Sequence, residues 1–236
     1  IEKIKDYAEY TIDPLGNLIV FKKGKNPAKN KVMLDAHMDE VGLIITAITS
    51  EGYLRFAKVG GIDTRVIIGR TVKVGEKAVN GVIGIKPVHL VEKGQEADIP
   101  KLDDLYIDIG AKSKEEASEY VRLGDAAWFA GDFVEFGNGF IKSKALDDRA
   151  GCAILIEMIR NELEYDTWFS FSVQEEIGTR GAQASSFTVA PDFAIVVETE
   201  NVETPKTGDS AMIGICAAVM FVSAVALFVV TKTKRA

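Results

Sequence analysis

Three short apolar runs in this chain each stop at a histidine or a carboxylate. "KVMLDA" (31–36) leads into His37, Met38, Asp39 and Glu40, "WFSFSV" (168–173) into Gln174, Glu175 and Glu176, and "FAIVV" (193–197) into Glu198. Apolar runs of about four to eight residues with β-branched and aromatic members read as strands. In open α/β sheets, ligands and catalytic groups gather beyond the carboxyl ends of the strands. Three such endings predict one shared site on one edge of an α/β sheet.

The second ending poses a physical problem. Glu175 and Glu176 are adjacent like charges at the end of an apolar run, bounded by the turn "IGTRGA". Such a pair points into water or is neutralised, because burying unpaired charge is costly. A divalent cation held by one of them would resolve it. "ALDDRAGCAILIEMIRN" (145–161) adds Asp147 and Asp148 at the start of a helical apolar pattern running through Ala150, Ala153, Ile154, Ile156 and Ile159. Carboxylates there can cap free N–H groups and are favoured by the helix dipole; beside three acidic strand ends, one of them also becomes a candidate ligand.

Residues 41–140 have a different texture, with short β-like runs such as "GYLRFAKVGG", "RVIIGRTVKV" and "NGVIGIKPVHL" separated by glycine turns. One helix signal, "SKEEASEYVRLG", begins with a capping-box pattern at Ser113 and Glu116. This segment reads as a β-rich domain inserted into an α/β domain made of residues 1–40 and 141–200. His89, within it, reads as structural or interfacial.

His37, Asp39, Asp147, Glu175, Glu176 and Glu198 are donors that zinc and similar divalent ions accept. Two ions sharing one carboxylate can activate water for hydrolysis. Glu176 would then hold metal, and Glu175 would stay free to take the proton from the attacking water. Asp39, two residues from His37, suits holding the imidazole in the tautomer that frees its other nitrogen for metal.

The chain carries 35 acidic and 28 basic residues, net −7. No basic cluster occurs in residues 1–200, which argues against a nucleic-acid partner. Cys152 and Cys216 form no disulfide framework. The sequence opens at Ile1 without a Met or signal pattern, so the true start is expected upstream or processed away.

"AMIGICAAVMFVSAVALFVV" (211–230) has no charge, Asn, Gln or Pro, and Lys232, Lys234 and Arg235 follow it. As a helix it would rise roughly 30 Å, enough to span a bilayer core. "ETPKTGD" (203–209) precedes it. Together these resemble the sorting signal of Gram-positive surface proteins, with Thr204 where that signal usually has Leu. The resemblance implies sortase cleavage between Thr207 and Gly208 and a place at the membrane or cell wall for a sorting segment 201–236.

"LDAHMDEVG", "KALDDRAG", "QEEIGTRGA" and "FAIVVET" together resemble the motifs of the glutamyl and deblocking aminopeptidases, co-catalytic metallopeptidases that form large tetrahedral or dodecameric particles. "GVIGIKPVHL" resembles part of that family's inserted oligomerisation domain. The resemblance covers about residues 1–200. It implies an incomplete α/β metallopeptidase sandwich carrying a barrel-like oligomerisation insert, with a C-terminal transmembrane helix added, and removal of N-terminal residues from peptides with two zinc or cobalt ions. In it His37 binds one metal with Glu198, Asp147 bridges both, Glu176 binds the other, Glu175 is the general base and Asp148 a positioning residue. The family's second site histidine, near its C-terminal end, has no counterpart here, so the second metal site is expected to be incomplete. The family's usual place is the cytoplasm, against the surface location that the tail implies. The alternative is a surface-anchored, non-catalytic protein whose β-rich insert mediates association.

Overall fold

The computed structural model describes residues 1–86 and 100–199. The chain enters through a hairpin, β1 (Glu9–Ile12) and β2 (Leu18–Lys22), paired antiparallel. Its turn closes on Asp13, whose carboxylate accepts the backbone N–H groups of Leu15, Gly16 and Asn17 at 2.9 Å each. This Asx geometry is why an Asp-Pro-Leu-Gly stretch turns so readily. β3 (Val32–His37) then crosses the molecule and delivers the chain to a second sheet.

That sheet is a closed barrel. β4 (Gly42–Ile48) and β5 (Leu54–Val59) are followed by a single helical turn, α1 (Thr64–Ile67), then β6 (Thr71–Val74) and β7 (Val79–Ile85). β8 (Leu105–Asp108), another short helix α2 (Lys114–Ser118) and β9 (Ala126–Phe129) complete it, in the order β4-β5-β8-β7-β6-β9. Alternate residues turn inward, as the pleat requires: Leu43 and Ile45, Val72 and Val74, Leu105 and Ile107 are all buried in one core. The helix signal at Ser113 gives five residues of helix, with the Ser113 hydroxyl accepting the Glu116 N–H. The Glu116 carboxylate reaches back to the N–H of Lys112 rather than of Ser113.

From the barrel the chain passes through a small hairpin, β10 (Val134–Phe136) and β11 (Phe140–Lys142), into α3 (Leu146–Arg160). β12 (Thr167–Ser172), α4 (Arg180–Val189) and β13 (Phe193–Val196) follow. The first sheet has the order β1-β2-β12-β3-β13, and its last three strands are parallel. Leu34, Ala36, Phe169 and Phe171 share one core with Cys152, Leu155 and Ile159 of α3. Ile19 and Met33 share another with Val189 of α4.

Asp35, on β3, is buried in the sheet and accepts a 2.9 Å hydrogen bond from the Ser172 hydroxyl across the β3–β12 register. Its pKa is raised because burial disfavours the charged form, against the relief offered by Ser170 and Ser172.

Among the described residues no helix is long and apolar enough to cross a membrane. The span expected at 211–230, the cleavage pair Thr207 and Gly208, Cys216 and His89 lie outside the described residues.

Candidate metal centre

The parallel arrangement puts three strand ends on one edge. Ser172 pairs with His37, so the residues that follow it, Glu175 and Glu176, leave the sheet beside the histidine. Val196 pairs with Asp35 on the other flank of β3, which brings Glu198, two residues on, level with His37. The central strand thus supplies the imidazole and its two neighbours supply carboxylates.

α3 contributes from above. Asp147 and Asp148 sit at its start but have non-helical backbone angles, so the regular helix begins after them. Asp148 is fully buried and accepts the Gly151 N–H at 3.0 Å, which makes it the effective cap of the helix. A Cβ at residue 151 would meet the Asp148 carboxyl oxygens at 2.4 and 2.5 Å, so only glycine leaves room for that cap. Burial raises the pKa of Asp148, with the Gly151 N–H partly offsetting it. Asp147, next to it, is exposed and turns to the strand ends.

There the His37 Nε2 lies 2.9 Å from Asp147 Oδ1 and 3.9 Å from Glu198 Oε2. Donor atoms of the three residues all fall within 4.8 Å of one another. Two ligands about 2.0–2.1 Å from a tetrahedral zinc stand roughly 3.3 Å apart, so the observed spacings suit one shared ion. The donor set, one imidazole and two carboxylates, suits it as well.

Electrostatics point the same way. Burial works against protonation of His37, but the hydrogen bond to Asp147 and the fields of Glu198, Asp39 and Asp147 outweigh it and raise its pKa. Burial raises Glu198, and Asp148 and Asp147 add to the effect. Glu176 is raised first by burial and then by Asp147, Glu175 and Asp39, with His37 opposing. So many carboxylates in one place repel, and a divalent cation is the species that would relieve them.

Asp39 meets the imidazole through its main chain. Its main-chain carbonyl lies 3.2 Å from His37 Nδ1, whereas its carboxylate oxygen is 3.6 Å away. The carbonyl therefore fixes the tautomer, leaving Nε2 toward Asp147 and Glu198. The carboxylate accepts the N–H groups of Glu175 and Glu176, at 3.1 and 3.2 Å, and clamps the turn that carries both. Glu175 and Glu176 are half-buried on this turn and stand outside the three-residue cluster.

Two supports were not legible in the sequence. The Cys152 thiol donates to the His37 carbonyl at 3.1 Å, and burial pushes that thiol up to about 12. Glu40, just past the site, is paired with Lys144 at 2.6 Å and approaches Arg149 at 3.6 Å. Their sequence signal, charges near each end of the insert, was present but had no spacing to read.

A family model for M42 glutamyl aminopeptidase matches residues 16–230. A protein of Acetivibrio thermocellus bearing an aminopeptidase name is 44% identical over 211 residues, 88% of this chain and 61% of its own length. The lysyl aminopeptidase of Pyrococcus furiosus is 36% identical over 218 residues, 87% of this chain and 61% of its own. Among solved structures, the Pyrococcus horikoshii TET1 peptidase, which assembles into a tetrahedron or a large octahedral shell, superposes with a TM-score of 0.76 at 44% identity. That superposition covers 89% of this chain and 64% of the other. The chain thus spans about three-fifths of the length of the curated relatives it matches. A sheet ending in this donor set, an inserted six-stranded barrel and a family match over nearly the whole sequence lead to one conclusion: the chain belongs to the M42 glutamyl aminopeptidase family.

Proposed function

We propose that this chain is a metal-dependent aminopeptidase that removes N-terminal residues from peptides. The observation that carries the reading is the meeting of His37, Asp147 and Glu198 at the carboxyl edge of the sheet, beside a turn that presents Glu175. His37 and Glu198 would hold one divalent ion, zinc or cobalt; Asp147 would be shared with a second ion held by Glu176. Such ions would supply polarisation of the scissile carbonyl and a more acidic water.

The chain's own residues supply the rest. Glu175 accepts the proton of the attacking water and returns it to the leaving amine. Asp39 holds the Glu175 turn through two backbone N–H groups, so the base keeps its position. The Asp39 carbonyl keeps the His37 Nδ1 proton in place. The surrounding carboxylates favour a substrate bearing a free ammonium group, which suits attack at a peptide's amino end. Among the described residues, Asp147 and Glu176 are the donors read for the second ion.

The barrel is proposed to carry self-association, as residues 41–140 suggest by sequence and as the assembling Pyrococcus horikoshii relative supports. The family match runs to residue 230. A membrane anchor at 211–230 and sortase cleavage between Thr207 and Gly208 are proposed from the sequence order.

The test is release of N-terminal residues from short peptides by the full chain, with zinc or cobalt and then with a chelator. Chelator-sensitive release is expected. A folded, zinc-loaded chain that releases nothing would favour the non-catalytic alternative.

A further inference from the structure

The Glu175–Glu176 turn is braced from two directions. On the sheet side the Asp39 carboxylate takes its N–H groups, and the N–H groups of Gly178 and Thr179 close back on the Glu175 carbonyl at 2.8 and 2.9 Å. On the other side stands the barrel. Gly60 follows directly on β5 with φ of +95°, and a Cβ built there would lie 2.9 Å from Val41 Cγ1 and 3.3 Å from both the Cβ and the carbonyl oxygen of Glu176. The barrel's backbone therefore touches the turn through a position with no side chain. Val41, the third party, is the residue through which β3 leaves the site for β4.

We propose that the Gly60 turn of the barrel is a positioning element of the metal centre, setting how far the Glu176 turn sits from the end of β3. This rests on the reading of Glu176 as a metal ligand. The barrel then does more than associate subunits: its β5–α1 turn is one wall of the scaffold that holds a ligand and the base. A displacement of a few tenths of an ångström at Glu176 would move its carboxylate relative to Asp147 and carry Glu175 along. Catalytic constellations tolerate little of this, since misplacement by about 1 Å costs on the order of 100-fold.

Neighbouring glycines allow the contact to be separated from backbone strain. Gly69 also lies in the left-handed region, at φ of +75°, yet a Cβ there meets nothing within 4 Å. Gly61 has neither a left-handed backbone nor a neighbour within 4 Å. Gly69→Ala thus reproduces the strain of Gly60→Ala without the contact, and Gly61→Ala reproduces neither. Because Gly60→Ala also meets Val41, the double variant with Val41→Ala removes that obstruction and keeps the one with Glu176.

The experiment measures zinc dissociation constants by competition with a chromophoric chelator, in the full-length parent and variants, with melting temperatures as a check on folding. The expected result is binding of the second zinc, the ion read for Glu176, weakened about tenfold or more in Gly60→Ala, the range seen when supports of metal ligands are removed, and still weakened in Gly60→Ala/Val41→Ala. Gly69→Ala should melt lower but bind zinc as the parent does, and Gly61→Ala should match the parent in both. At saturating zinc, kcat of Gly60→Ala should fall about tenfold with KM little changed. Binding of the second zinc in Gly60→Ala within twofold of Gly69→Ala would overturn the proposal, as would full recovery on adding Val41→Ala. A parent that binds no zinc would overturn the metal reading itself; a parent that binds it while Gly60→Ala binds equally would overturn this inference alone.

Discussion

Glu175→Gln will bind zinc as tightly as the parent and lose about 10²–10⁴-fold in turnover, the range that a positioned general base contributes. Three observations lead there. Glu175 is not in the cluster whose donor atoms lie within 4.8 Å of one another, so removing its charge leaves His37, Asp147 and Glu198 intact. Its main chain is fixed by the Asp39 carboxylate and by the turn closing on its carbonyl, so the amide will occupy the same place. What changes is the ability to accept a proton. Glu176→Gln should behave in the opposite way, weakening metal binding before it affects the chemical step. Hydrolysis by Glu175→Gln at the parent rate would remove Glu175 from the mechanism, and a matching loss of zinc affinity would make it a ligand instead.

Gly181→Ala should cost roughly 3 kcal/mol or more, as overpacking and a broken buried hydrogen bond combine. A Cβ at residue 181 would lie 2.0 Å from the Val173 carbonyl oxygen, 2.5 Å from Asn17 Oδ1 and 2.6 Å from the Val173 nitrogen. Two of these are backbone atoms at the end of β12 and cannot rotate away. The third belongs to Asn17, which is fully buried and joins three elements. Its amide donates to the Gly181 carbonyl at 2.9 Å and to Asp13 at 2.7 Å, and its oxygen accepts the Val173 N–H at 2.9 Å. This node ties the β1–β2 turn, the end of β12 and the start of α4 together, at a residue two before Glu175 in the chain. For a chain of this size, about 3 kcal/mol corresponds to a melting shift of roughly 6–12 °C. A shift under about 2 °C would mean that α4 can slide off the strand end, contrary to this packing.

The strand ends carrying His37, Glu175, Glu176 and Glu198 could be read from sequence because parallel strands put their carboxyl ends on one edge. An apolar run that stops at a polar donor is a local pattern, and the sheet converts local patterns into shared location. Asp147 and Asp148 were legible as a pair, while their division of labour was not. One caps α3 from a buried position and the other turns to the metal edge, a difference set by backbone angles that the letters Asp-Asp do not show. The Asp39 carboxylate was equally hidden, since its partners are backbone N–H groups more than a hundred residues away. Asp35 sits inside an apolar run with nothing local to mark it, since its partner Ser172 lies on another strand. The short β runs of the insert announced strands, but closure of the barrel depends on β4 pairing with β9 across most of the insert's length, which no local pattern encodes.

The central claim is that His37, Asp147 and Glu198 hold one metal ion. Anomalous scattering at the zinc edge, from crystals of the full chain grown with zinc, tests it most directly. The account predicts a peak within bonding distance of His37 Nε2, an Asp147 oxygen and a Glu198 oxygen, with the direct His37–Asp147 hydrogen bond replaced by shared coordination. A zinc-loaded crystal with its peak elsewhere, and His37 still hydrogen-bonded to Asp147, would contradict it.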